Sequence, residues 1–223
     1  MKWVRNSKTA VIVLHEIYGV NHFIKKCGEE LHKEGLDVYC PDLLEGNQFS
    51  YEESEEAYQY FKNIIGFQDA SKKTMDLIIE IKKKYDTIIL LGYSIGATIA
   101  WLCNQTKVCN GIICYYGSRI RDYIEVEPSC PNILFFATNE SGFNALKLIE
   151  TLQSKKNVRL LKSFDAHHGF ADPNNSAFNS DYAQQCWNTV IKFIQDISVK
   201  SSKGSFIHLT NEQITPLEDY TKI

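Results

Sequence analysis

Short apolar runs rich in β-branched and aromatic residues alternate along this chain with segments whose apolar positions fall at helical spacing, the pattern of a parallel sheet covered by helices. Thr9–Leu14 reads as a buried strand. Asn21 is placed to cap a following helix in which Phe23, Ile24, Cys27 and Leu31 share one face, and Gly35 ends it. Residues 38–40 form the next expected strand, stopped at Pro41. Over 42–67 the pattern is less regular: a Gly46-Asn47 turn signal is followed by an acidic, tyrosine-rich stretch read as one helix. Met75, Ile78 and Ile79 predict an amphipathic helix over 70–84, and 86–91 returns as a strand of nearly unbroken apolar character. The rhythm continues with a helix over 94–103, strands over 111–115 and 133–137, a helix over 145–152 and a strand over 158–161. Trp187, Val190, Ile191, Ile194 and Ile197 mark one face of a closing helix.

A length of 223 residues with 44% hydrophobic residues suits one domain with a substantial core. Acids and bases are well mixed and the formal net charge is -3, so no cationic field gathers nucleic acid or anionic lipid, and neither is an expected partner. The first six residues lack the apolar stretch of an export signal, and no run approaches the roughly 20 apolar residues of a membrane span, which predicts a soluble, cytoplasmic protein. Seven cysteines without a C-x-x-C pair fit buried thiols in a reducing compartment better than a disulfide framework or a zinc site.

The densest chemical signal is Gly92-Tyr93-Ser94-Ile95-Gly96, which fits G-x-S-x-G between an expected strand and an expected helix. Two glycines remove side chains where a sharp turn brings strand and helix together, leaving the serine hydroxyl projecting from the sheet's carboxyl edge. The Ile95 backbone N–H, at a helix N-terminus, then faces developing negative charge as an oxyanion donor. The plainer reading makes Ser94 a helix cap in a tight turn; a cap explains the serine but not the paired glycines or the acid and histidine that follow in order.

With these segments the chain resembles the dienelactone hydrolase family of α/β-hydrolases over roughly residues 9 to 198. His15-Glu16-Ile17-Tyr18-Gly19-Val20-Asn21 is similar to the family's Glu-hydrophobic-aromatic-Gly-x-Asn segment, and the serine turn to its nucleophile elbow. The run from Pro131 to Glu140 resembles the strand and loop that deliver the triad acid. His167-His168-Gly169-Phe170-Ala171 resembles the His-(Gly/Ser)-Phe-Ala segment. The resemblance implies Ser94 as nucleophile, His168 as base, Glu140 as supporting acid and the Ile17 backbone N–H as second oxyanion donor. It also implies that Glu16 lies beside the nucleophile and influences its ionisation.

Three departures limit the transfer. The family's namesake enzymes use a cysteine where this chain has Ser94, which raises the demand on His168 as a base in contact. Glu140 stands for the usual aspartate. Asp172 lies just after the histidine, where dienelactone-cleaving members place an arginine, and residues 51–58 hold four glutamates and no arginine, so an anionic dienelactone is a poor expected substrate. Glu16, Tyr93 and Tyr116 are the possible pocket or nucleophile-neighbour residues, and other readings stay open at single positions: His167 for the base, Asp165 for the acid, a surface carboxylate for Glu16, and packing rather than a pocket for Tyr115 and Tyr116.

The expectation is therefore an α/β-hydrolase fold: a mostly parallel doubly wound sheet with helices on both faces and no large lid domain, spanning 1–199. An extension over 200–223 is read as a linker and a docking segment around Phe206, Ile207 and Leu209. The expected activity is hydrolysis of carboxylic esters or related acyl compounds through an acyl-enzyme. Its partner is a small-molecule acyl substrate and it needs no metal or organic cofactor; the oligomeric state, monomer or homodimer, stays open. A non-catalytic binding protein on the same fold, a thioesterase and an acyltransferase are the competing readings.

Overall fold

Alternation along the strands sorts the chain's apolar residues into two layers, one on each side of a seven-stranded sheet. The computed structural model describes residues 1–140 and 142–202. The strands are β1 (Lys2–Trp3), β2 (Thr9–Leu14), β3 (Asp37–Tyr39), β4 (Thr87–Tyr93), β5 (Gly111–Tyr115), β6 (Asn132–Asn139) and β7 (Val158–His167). Their order across the sheet is β1-β3-β2-β4-β5-β6-β7, with only β1 antiparallel to its neighbour.

On one face Ile12, Leu14, Leu90, Cys114 and Leu134 pack under α3 (Phe67–Ile81), α4 (Ile95–Leu102) and α5 (Ala145–Gln153). On the other, Val11, Val13, Ile89, Leu91 and Phe135 pack under α1 (His22–Lys33) and α6 (Ser180–Ser202). Because β2, β4 and β5 are covered on both faces, every one of their residues is buried, which is why they read as continuous apolar runs.

Strand order creates the site. From β2 the chain crosses through α1 to β3 on one side, whereas from β4 it crosses through α4 to β5 on the other. The carboxyl ends of β2 and β4, paired through Leu14 and Gly92, therefore open onto the crevice where the winding reverses, the usual place for a ligand in such sheets.

Local chemistry sets the element ends. Asn21 caps α1 by accepting the Ile24 N–H at 3.1 Å, and Gly35, at φ +88°, follows its last turn. The acidic segment expected as one helix is instead a 3₁₀ turn (Tyr51–Glu53), the short helix α2 (Ser54–Tyr60) and a π turn (Phe61–Ile65), closed by Gly66 at φ +72°. Helix α3 then starts at Phe67, ahead of the expected residue 70. Strand β7 runs six residues past its expected end at 161. As the edge strand it buries Phe164 and Ala166 and exposes Ser163, Asp165 and His167, a mixed pattern without the apolar density of the central strands. Helix α6 continues through Ser202, beyond the expected domain boundary at 199; the linker and docking segment expected after it lie outside the described residues. All seven cysteines are free and buried. Among the described residues no helix is long and apolar enough to cross a membrane.

Candidate active site

Ser94 sits between β4 and α4 with φ 53° and ψ -114°, a conformation that L-residues avoid and that the surrounding turn enforces. Its N–H donates to the Tyr115 carbonyl at 3.0 Å, while its carbonyl accepts the N–H groups of Ala97 and Thr98 at 3.1 and 3.2 Å. The flanking glycines are required by contact. A Cβ on Gly92 would lie 2.2 Å from the Gly96 carbonyl oxygen, and one on Gly96 would lie 2.3 Å from that of Leu14. Removing both side chains lets the start of α4 rest on the ends of β4 and β2.

The other two chemical groups arrive from the far side of the sheet. Glu140 follows β6, and His168 follows β7, which is paired in parallel to β6. His168 Nε2 lies 2.8 Å from Ser94 Oγ, and its Nδ1 lies 2.8 and 3.0 Å from the two carboxylate oxygens of Glu140. The Glu140 side chain is 5% exposed and the imidazole 35%. An acceptor carboxylate on one ring nitrogen fixes the proton there and leaves Nε2 free to accept the serine proton. Burial alone pulls the His168 pKa down, but the hydrogen bond and charge of Glu140, joined by the charge of Glu16, outweigh it and hold the pKa above its ordinary value.

The rival residues lie elsewhere. His167 is exposed, with Nδ1 3.1 Å from the Asn139 carbonyl, and Asp165 is exposed and accepts from Asn139 Nδ2 at 2.8 Å. His167 and His168 share an open depression of about 390 Å³ with Asn139, Asn175, Ser176 and Ala177.

The Ile95 and Ile17 backbone N–H groups have no acceptor among the described residues. Both stand at the crevice, one in the first turn of α4 and the other three residues beyond β2. Glu16 is buried, at 3% exposure, rather than a surface carboxylate. Burial, reinforced by the negative charge of Asp172, pushes its pKa to about 7, against the opposing pull of the His168 charge and of the Tyr116 hydroxyl. That hydroxyl stands close to Glu16 but outside hydrogen-bond geometry, so Glu16 Oε1 and Tyr116 Oη are both buried without a partner.

Tyr93 and Tyr116 lie beside the nucleophile and the imidazole but are packed rather than open to a pocket. Tyr93 is 2% exposed, with its hydroxyl 3.5 Å from Cys27 Sγ and its ring against Phe23 and Tyr115, so it packs under α1. Tyr116 is fully buried, its ring 4.8 Å from that of His168, and it supports the imidazole from behind. Two features escaped the sequence, the partners of Asp172 and the place of a buried histidine. Asp172, fully buried, accepts from the Tyr51 hydroxyl and from the Asn174 N–H, and Tyr51 in turn accepts from Asn21 Nδ2 at 3.1 Å. This chain of bonds ties the histidine loop to the segments after β2 and before α2. The second feature is His15, buried beneath the same crevice. Among the described residues no group of three or more His, Cys, Asp or Glu side chains is disposed to hold a metal ion.

Comparison with known proteins agrees with this architecture. An uncharacterized protein of Bacillus subtilis (strain 168), YczH, is 40% identical over 177 residues, covering 77% of this chain and 85% of that one. Among solved structures, a dienelactone hydrolase-like promiscuous phosphotriesterase from metagenomic libraries superposes with a TM-score of 0.66 at 13% identity, covering 85% of this chain and 86% of that one. Esterase 2 of Thermogutta terrifontis does so with a TM-score of 0.60 at 14% identity, covering 85% and 84%. The model of the dienelactone hydrolase family matches residues 2–198. With its crevice at the reversal point of a doubly wound sheet and this match over nearly its whole length, the chain belongs to the dienelactone hydrolase family, hydrolases of the α/β-hydrolase fold.

Proposed function

We propose that this protein hydrolyses carboxylic esters or related acyl compounds through an acyl-enzyme formed on Ser94, with His168 as general base and then general acid and Glu140 as the group that orients and steadies the imidazole. The observation that carries this reading is the unbroken path from Ser94 Oγ through His168 to Glu140, with 2.8 Å at each end. His168 Nε2 takes the serine proton as Oγ attacks the acyl carbonyl, and the oxyanion is received by the N–H groups of Ile95 and Ile17. The alcohol leaves with the proton from His168. Water, activated by the same imidazole, then releases the acid.

Two buried carboxyl groups, Glu16 and Asp172, flank this machinery, and the charged groups that face Glu16 are His168 and Asp172. Such a site disfavours a substrate carboxylate next to the scissile bond, so neutral acyl groups are the proposed substrates. That the solved relatives include an esterase and a phosphotriesterase supports attack on an ester-type centre as the chemistry.

Replacing Ser94 by alanine tests the proposal. With p-nitrophenyl acetate, kcat should fall by roughly 10⁴-fold or more, because the triad acts as a unit, while the unfolding midpoint stays near that of the wild type. Undiminished turnover by the variant refutes the assignment. A panel of acyl thioesters and alcohol acceptors distinguishes esterase from thioesterase or acyltransferase action, and tight ligand retention without turnover by the wild type would favour a binding protein.

A further inference from the structure

We infer that His15 is a positioning residue that aims the Ile17 N–H by holding the Glu16–Ile17 peptide group from its other side. The inference rests on the reading of Ile17 as an oxyanion donor. His15 directly follows β2 and is fully buried. The Leu43 backbone N–H donates to its Nε2 at 2.9 Å, and its Nδ1 stands 2.6 Å from the Glu16 carbonyl oxygen. A backbone N–H can only donate, so Nε2 carries no proton. The single proton of the neutral ring must therefore sit on Nδ1 and be given to that carbonyl. Burial favours this neutral form and holds the His15 pKa below its ordinary value, although the facing Asp42 carboxylate pulls the other way.

The consequence follows from the planarity of the amide. No cis peptide occurs among the described residues, so the Glu16 carbonyl and the Ile17 N–H are antiparallel across one rigid unit. Fixing the oxygen on His15 turns the N–H the opposite way. The two ends of this peptide are treated differently: its oxygen is bound by His15 and, at 3.3 Å, by the Gly19 N–H, whereas its N–H has no acceptor among the described residues. Were the peptide turned over, a carbonyl oxygen would stand where negative charge develops, and the same site would repel the transition state. The backbone of His15 also touches the nucleophile turn, since a Cβ on Gly96 would lie 2.7 Å from the His15 carbonyl oxygen. One residue thus bears on both the serine turn and the proposed oxyanion strap.

Two substitutions separate the two hydrogen bonds of the ring. His15→Asn keeps an N–H near the place of Nδ1 and gives up the acceptor for Leu43, whereas His15→Gln reaches Leu43 with an acceptor and leaves the Glu16 carbonyl without its donor. With p-nitrophenyl acetate, H15Q should lose about 10- to 100-fold in kcat, less than the loss from deleting an oxyanion donor outright, with KM changed by less than about threefold. H15N should stay within about fivefold of the wild type on the same scale. Nitrogen-15 NMR of the wild type at neutral pH should show His15 as the neutral Nδ1–H tautomer, and the Ile17 amide resonance should move in H15Q and not in H15N. A wild-type kcat in H15Q, a loss confined to KM, or a protonated Nε2 on His15 overturns the inference. Should H15Q fail to fold, the tautomer and H15N decide it. Should the wild type not cleave the ester, or S94A cleave it equally well, the esterase reading fails, while the imidazole and Ile17 resonances still decide whether His15 governs this peptide.

Discussion

Glu16 is the residue whose environment departs furthest from what a carboxylate prefers. In the unfolded chain it titrates near 4.5, and in the fold near 7, because burial penalises its charge. The folded state therefore holds the proton more tightly, so stability present below pH 4.5 is lost as pH rises through about 7. Glu16→Gln removes this dependence. Its stability relative to the wild type should grow between pH 4.5 and 7 by an amount on the order of 3 kcal/mol and level off above, read from urea unfolding at a series of pH values. A difference independent of pH would show that Glu16 ionises as freely in the fold as outside it. The sequence singles out Ser94 from its strand-turn-helix context, and Glu16, Glu140 and His168 through the resemblance of their segments to the family's, and these are the groups found around the crevice. It could not single out His15 or the Tyr51–Asp172 tie. Their partners are Leu43, 28 residues away, and Tyr51, 121 residues from Asp172, and neither separation leaves a periodic mark.

At the scale of elements, the contact between the start of α4 and the end of β2 determines whether the serine turn can form. Gly96→Ala would press a methyl group against the Leu14 and His15 carbonyls, backbone atoms of a central strand and its extension that cannot swing aside. The expected cost is about 1–3 kcal/mol in urea unfolding, with p-nitrophenyl acetate hydrolysis falling further than stability because Ser94 and the Ile17 strap are displaced together. Unchanged activity and stability in this variant would mean that the turn tolerates a wider approach than the one described. Central elements were legible because strands covered on both faces can hold little but apolar residues. The edge strand β7 is legible only at its start, for the converse reason: its Ser163, Asp165 and His167 face outward and dilute the signal. The segment from 51 to 65 reads as one helix because its Glu, Gln, Ala and Lys residues favour helix and no Gly or Pro interrupts it. What breaks it into 3₁₀, α and π turns is packing of Phe61 and Ile65 into the core, a tertiary demand that propensity does not carry.

For the molecule as a whole, topology does the assembling. Ser94 closes β4, whereas Glu140 and His168 close β6 and β7 on the far side of β5, so the path joining them spans four adjacent strands. Parallel alignment of those strands brings all three ends to one edge, and the reversal of winding between β2 and β4 opens that edge to a substrate. On the reading proposed above, this arrangement activates Ser94 Oγ as the nucleophile. Treating the wild-type protein with a fluorophosphonate and locating the adduct by peptide mass spectrometry tests it most directly. Stoichiometric modification of Ser94 is expected, lost in His168→Ala and concurrent with loss of p-nitrophenyl acetate hydrolysis; an active protein whose Ser94 stays unlabelled, or one labelled at another residue as activity disappears, would rule Ser94 out as the nucleophile.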